Sequence, residues 1–176
     1  MSTPNDPNWR LPEVPTFTLV SPDFDEGDTL PQWARGGDAG GEDRSPTLHW
    51  QGAPSGTRSF VLTVYDPDAP TGSGWWHWAV YNIPATITSL SQDAGNPDAA
   101  LLPSGSITLP NEVRSPRFMG AAPPPGDGEH RYVFTVSALD VERLDLPDGS
   151  TPALLGGALR SHIVARAQLS GRSETL

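Results

Sequence analysis

Apolar residues in this chain fall into short blocks, and most of the blocks have strand spacing. The clearest runs from Arg131 to Leu139, where Tyr132, Phe134 and Val136 alternate with Val133, Thr135 and Ser137. A period of two sends these sets to opposite faces of a strand. Residues 163–169 alternate in the same way. Residues 59–65 and 77–83 are almost continuously apolar and rich in β-branched and aromatic side chains, as expected of strands buried on both faces near the centre of a sheet. Shorter strands are expected at 16–20, 47–50 and 107–109. One segment has helical spacing: Ser150-Thr151-Pro152 supplies a capping hydroxyl and a proline for the first turn, and Leu154, Leu155, Ala158 and Leu159 follow. It predicts a helix of about three turns. Strands that do not alternate with helices favour a mainly β fold, an antiparallel two-sheet Greek-key sandwich with one or a few peripheral helices, over a doubly wound α/β sheet.

The punctuation between the blocks agrees. Twenty prolines and 18 glycines in 176 residues imply many turns and stiffened loops. The length suits one domain that buries roughly two thirds of its unfolded surface. Residues 1–15 carry four prolines and read as an extended arm, with Trp9 and Leu11 available to pack on the body. Residues 16–171 form the domain, and 172–176 read as a loose tail. A glycine-rich charged loop spans 34–45, without the strand-then-helix context of a dinucleotide loop.

Composition narrows the chemistry. With no cysteine there is no disulfide, thiolate nucleophile or thiolate metal site. All 11 basic residues are arginine, so Schiff-base and P-loop lysine chemistry are excluded. A net charge of −10 repels nucleic acid and anionic membrane, so any anion must be held by local geometry. No segment approaches the apolar length of a membrane span and the first residues lack a leader pattern, so a soluble cytoplasmic protein is expected.

Two segments concentrate the candidate chemistry. Asp66-Pro67-Asp68-Ala69-Pro70 leaves a strong strand and runs on to His77-Trp78. Gly120-Ala121-Ala122-Pro123-Pro124-Pro125-Gly126 runs on to His130-Arg131-Tyr132. Taken singly, each has a plain structural explanation: turn carboxylates that cap backbone amides, and histidines satisfied by a neighbour. Together they point to a small preformed polar pocket at the rim of a sheet. Trp75-Trp76 precedes His77; one ring is expected to pack and the other to be partly exposed, walling the pocket or facing a second copy.

With these segments, Ser21-Pro22 and Phe24, Leu30-Pro31, Ser45-Pro46 with Leu48 and Trp50, and Pro54-Ser55-Gly56-Thr57 before Ser59-Phe60 resemble the phosphatidylethanolamine-binding protein family. The resemblance is to its bacterial, Raf-kinase-inhibitor-like branch, and covers Phe17 to about Gly171. It implies that Asp66, Asp68, His77, Gly120, Pro124, His130 and Tyr132 line a pocket that in relatives accepts phosphate or a phospholipid head group. The side chains suit such a ligand: two imidazoles can donate to phosphate oxygens, a glycine lets backbone amides approach, and carboxylates can orient the histidines or receive an ammonium. A non-catalytic binding protein without metal or cofactor, assembling as a homodimer, is the implied role. A metal-dependent hydrolase using the Asp/His cluster, and a regulator of a protein kinase or protease acting by contact, are the alternatives; no protein partner can be named. Two departures bear on the pocket. Ala121 and Ala122 stand where relatives commonly have glycine or proline, so a positive φ there would distort the turn. The chain also ends in Gly171-Arg172-Ser173-Glu174-Thr175-Leu176 in place of the tyrosine-bearing helix of animal relatives, which implies a more open site.

Overall fold

Asp6 and residues 8–176 are described by the structure, a computed structural model; the rest of the arm, residues 1–5 and Pro7, lies outside the described residues. Two antiparallel sheets face each other. The smaller is ordered β1-β2-β5, from Thr18–Val20, Leu48–Gln51 and Ser89–Leu90. The larger is ordered β6-β4-β3-β7-β8, from Ile107–Thr108, Trp75–Pro84, Ser59–Asp66, His130–Leu139 and Ile163–Ser173.

Alternation along the strands builds two cores. Phe60, Leu62 and Val64 of β3, Trp78 and Val80 of β4, and Phe134 and Val136 of β7 meet Leu19, Leu48, Trp50 and Leu90 of the smaller sheet. Side chains such as Leu62 and Phe134, fully buried here, each stabilise the fold by about 1.5–3 kcal/mol. The intervening residues Val61, Ala79, Tyr81 and Leu139 face outward against Leu155 and Leu159 of α1, Pro152–Leu159, the one α-helix among the described residues. Apolar side chains are therefore buried on both faces of the central strands, which explains their nearly unbroken apolar runs.

Two local expectations differ from what forms, and one short strand was not foreseen. Helix α1 has eight residues rather than three turns: Thr151 caps it by accepting from the Leu154 N–H at 3.2 Å, but Gly156-Gly157 in its second half weaken propagation. Strand β8 continues past Leu169 to Ser173, pairing Gly171 with Tyr132, Arg172 with Arg131 and Ser173 with His130. Gly171 permits this, because a Cβ there would run into Leu30. The two-residue β5 carries too little pattern to be read from the sequence and exists through its pairing with Leu48 and His49.

Candidate functional site

Antiparallel order brings the C-terminal end of β3 and the N-terminal ends of β4 and β7 to one end of the larger sheet, so Asp66, His77 and His130 converge there. A β-bulge aims His77: Val64 pairs with Trp78 and Tyr65 with Trp76, leaving His77 as the extra residue. The bulge re-aims its side chain, and the imidazole meets Tyr132 edge-on at 5.0 Å between ring centroids. Tyr132 belongs to the inter-sheet core, so the site closes one end of that core.

Each histidine is anchored through the same ring nitrogen. His130 Nδ1 donates to Asp66 Oδ2 at 2.8 Å, and His77 Nδ1 donates to the Met119 carbonyl at 2.8 Å. Asp66 is itself held by the acid-proline turn, because its Oδ1 accepts from the N–H groups of Asp68 and Ala69 at 2.8 and 3.0 Å. With Nδ1 carrying the proton in both rings, Nε2 is the free nitrogen, and in a neutral imidazole it is an acceptor. Burial holds His77 below the usual histidine range; the Met119 carbonyl and the charges of Asp66 and Asp43 offset this only in part. The Tyr132 phenol is pushed up, first by burial and then by Asp66 and Asp68, so it stays protonated.

The other expected residues divide. Asp68 orients no histidine. It grips Arg131 instead, accepting from its backbone N–H at 2.9 Å, from Nε at 2.8 Å and from Nη2 at 2.7 Å. These contacts, the side-chain pair above all, hold the Asp68 carboxyl below the usual range. Gly120 is at the site, but its amide donates to Asp43 Oδ1 at 2.8 Å and is not free for a ligand. Glycine is required there by a close approach, since a Cβ would run into the Arg35 carbonyl group. Pro124 is exposed in the turn. Ala121 and Ala122 are not among the residues with positive φ, so alanine distorts nothing; Ala121 pairs with Arg35 in a short bridge.

Sequence reasoning missed three participants. Asp43 lies in the glycine-rich loop and ties it to the site, accepting from Gly37 as well as Gly120. Met119 contributes only backbone, which leaves no trace in the sequence. Asp127 places Oδ2 3.8 Å from His130 Nε2. His77 and His130 are 4% and 3% exposed, and β8 reaches far enough to pair Ser173 with His130 at the start of β7. Both Trp75 and Trp76 are half-buried. Trp76 packs on Tyr65, whereas Trp75, paired with Asp66 in the ladder, has its indole N–H buried with no partner among the described residues. No group of three or more carboxylate or imidazole side chains arranged to hold a metal ion occurs among the described residues.

The two-sheet β architecture agrees with the comparisons with known proteins. Residues 20–174 match the phosphatidylethanolamine-binding protein family, and the chain belongs to it. It is 49% identical over 130 residues to the UPF0098 protein YbcL of Escherichia coli, covering 74% of this chain and 71% of that protein. It is 44% identical to the UPF0098 protein YbhB of the same organism over 154 residues, covering 86% of this chain and 96% of YbhB. The crystal structure of YbcL, described as a new member of the mammalian PEBP family, superposes with a TM-score of 0.85 over 90% of this chain and 98% of that one. Among the described residues, no helix is long and apolar enough to cross a membrane.

Proposed function

We propose that the protein is a non-catalytic binding protein for a phosphoryl group, carried by a small molecule or by a phospholipid head group, held at His77 and His130. The observation that carries this reading is the pair of buried histidines, each fixed through Nδ1 and each left with Nε2 as its free nitrogen. Protonated, the two Nε2–H groups are strong donors to an anion. Tyr132 walls the site, its ring edge-on to His77. Asp66 and Asp68 are engaged by His130 and Arg131, so the ammonium of an ethanolamine head group falls to Asp127, whose side chain is one third exposed. Ligand, site and fold in this reading need no metal and no bond-breaking step. It has the protein working in the cytoplasm as a homodimer, with half-buried Trp75 and Trp76 as candidate contact surface.

Calorimetric titration of O-phosphoethanolamine and of short-chain phosphatidylethanolamine into wild type and four histidine variants tests it. His77→Ala and His130→Ala each lower affinity by about tenfold to a hundredfold, the loss of one charge-assisted hydrogen bond. His49→Ala and His162→Ala bind as wild type, because His49 is exposed on β2 and His162 pairs with Asp140 outside the site. Equal affinity across the set would remove the site from these two residues.

A further inference from the structure

The outer face of the larger sheet is only partly covered by its core. Beyond Val61, Ala79 and Leu139 the face carries Thr63 and Ser137, hydroxyl side chains in mid-strand, and then the Tyr65–Trp76 pair with centroids 4.5 Å apart. Opposite them α1 presents Gly156 and Gly157, where an added Cβ would meet nothing within 4 Å. Small side chains on the sheet and none on the helix leave a cavity of about 580 Å³, bordered on one side by residues 8–11. That size is typical of small-molecule sites, as is an apolar lining with a few polar groups. The walls also break the charge pattern of the molecule. In a chain of net charge −10, Arg10, Arg114 and Arg160 line the cavity against Glu112, the one acid among its described lining residues, and the Glu112 carboxylate already accepts from the Trp76 backbone N–H at 3.3 Å.

We infer that this cavity is a second binding site, for a small organic anion with a flat apolar body. The body lies against Tyr65 and Trp76, a polar substituent reaches the Thr63 and Ser137 hydroxyls, and the acidic group sits at the arginines. Alternation along β3 and β7 puts the cavity on the opposite face of the sheet from Tyr132 and the inter-sheet core, so it is independent of the phosphoryl site.

Three probes that differ in charge test this on the full chain by calorimetry: 2-naphthylacetate, 2-(2-naphthyl)ethanol and 2-(2-naphthyl)ethylamine. The acid is expected to bind saturably at one site per chain and most tightly, and the amine most weakly. Arg114→Asn and Arg160→Gln each weaken the acid about two- to fivefold, the range for an exposed ion pair, and leave the alcohol unchanged. Gly157→Leu fills the cavity while favouring the helix, and weakens acid and alcohol at least about tenfold. His77→Ala binds all three as wild type does. The inference is overturned by equal affinity for the three probes, by wild-type binding in Gly157→Leu, by lost binding in His77→Ala, or by no saturable binding at millimolar probe.

Discussion

On the proposed reading, anion binding at His77 is coupled to proton uptake, because the hydrogen that the ring already carries is spent on a protein acceptor. His77 Nδ1–H points at the Met119 carbonyl, which can only accept, and burial keeps the ring neutral to lower pH than a free histidine. To donate from Nε2, His77 has to gain a second proton. A histidine whose value lies below about 6.5 is at least ~90% neutral at pH 7.5, so binding at that pH draws in close to one proton for His77 alone. Affinity then falls about tenfold per pH unit, or 1.36 kcal/mol. The perturbation is pH, from 5 to 8.5. Sulfate, whose charge is constant over that span, is titrated beside O-phosphoethanolamine. Calorimetry in two buffers of different ionisation enthalpy counts the protons directly. His77→Gln offers an amide donor that needs no protonation, so its pH slope is expected to be shallower by one proton. A pH-independent affinity with no proton uptake would refute the argument, and so would an unchanged slope in His77→Gln.

Asp68→Asn is expected to destabilise the fold by about 1 kcal/mol, the upper end for a partly exposed ion pair, without weakening sulfate binding; urea unfolding and titration together check this. The depressed Asp68 value makes its stabilisation present above about pH 3.9 and lost as pH falls through the lower folded value. For His77 the dependence runs differently: its folded value is lowered while the unfolded ring protonates near 6.5, so stability is full above that pH and declines below it. His77→Phe, if it folds, should have a smaller decline between pH 6.5 and 5 in thermal unfolding. Asp127→Asn is expected to reduce affinity for O-phosphoethanolamine about two- to fivefold and leave sulfate binding no weaker; equal effects on both ligands would take the ammonium away from Asp127. Gly120→Ala should cost about 1–3 kcal/mol in denaturant unfolding, because the new methyl meets the Arg35 backbone.

Hydrophobic periodicity was enough to place the long strands. The alternation of Tyr132, Phe134 and Val136 and the unbroken run at 59–65 are local statements about which faces are buried, and burial on folding is what such patterns encode. The acid-proline turn and the two histidine motifs were visible for a similar reason: Asp66 caps the amides two and three residues ahead of it, an interaction contained in its own segment. What joins distant segments was not legible. Nothing local to Asp68 chooses between a histidine and an arginine, and only the antiparallel pairing of β3 with β7 delivers Arg131 to it. Asp43 reads as one more charge in a glycine-rich loop until tertiary packing brings Gly120 within 2.8 Å. Residues 170–173 carry little strand signal of their own, and the ladder with β7 extends β8 through them. The protonation logic of the site belongs to this second kind of information. Sequence supplied two histidines and two acids, while the direction of each Nδ1–H was decided by tertiary contacts: a β-bulge and the carbonyl of a methionine 42 residues away for His77, and the Asp66 carboxylate for His130.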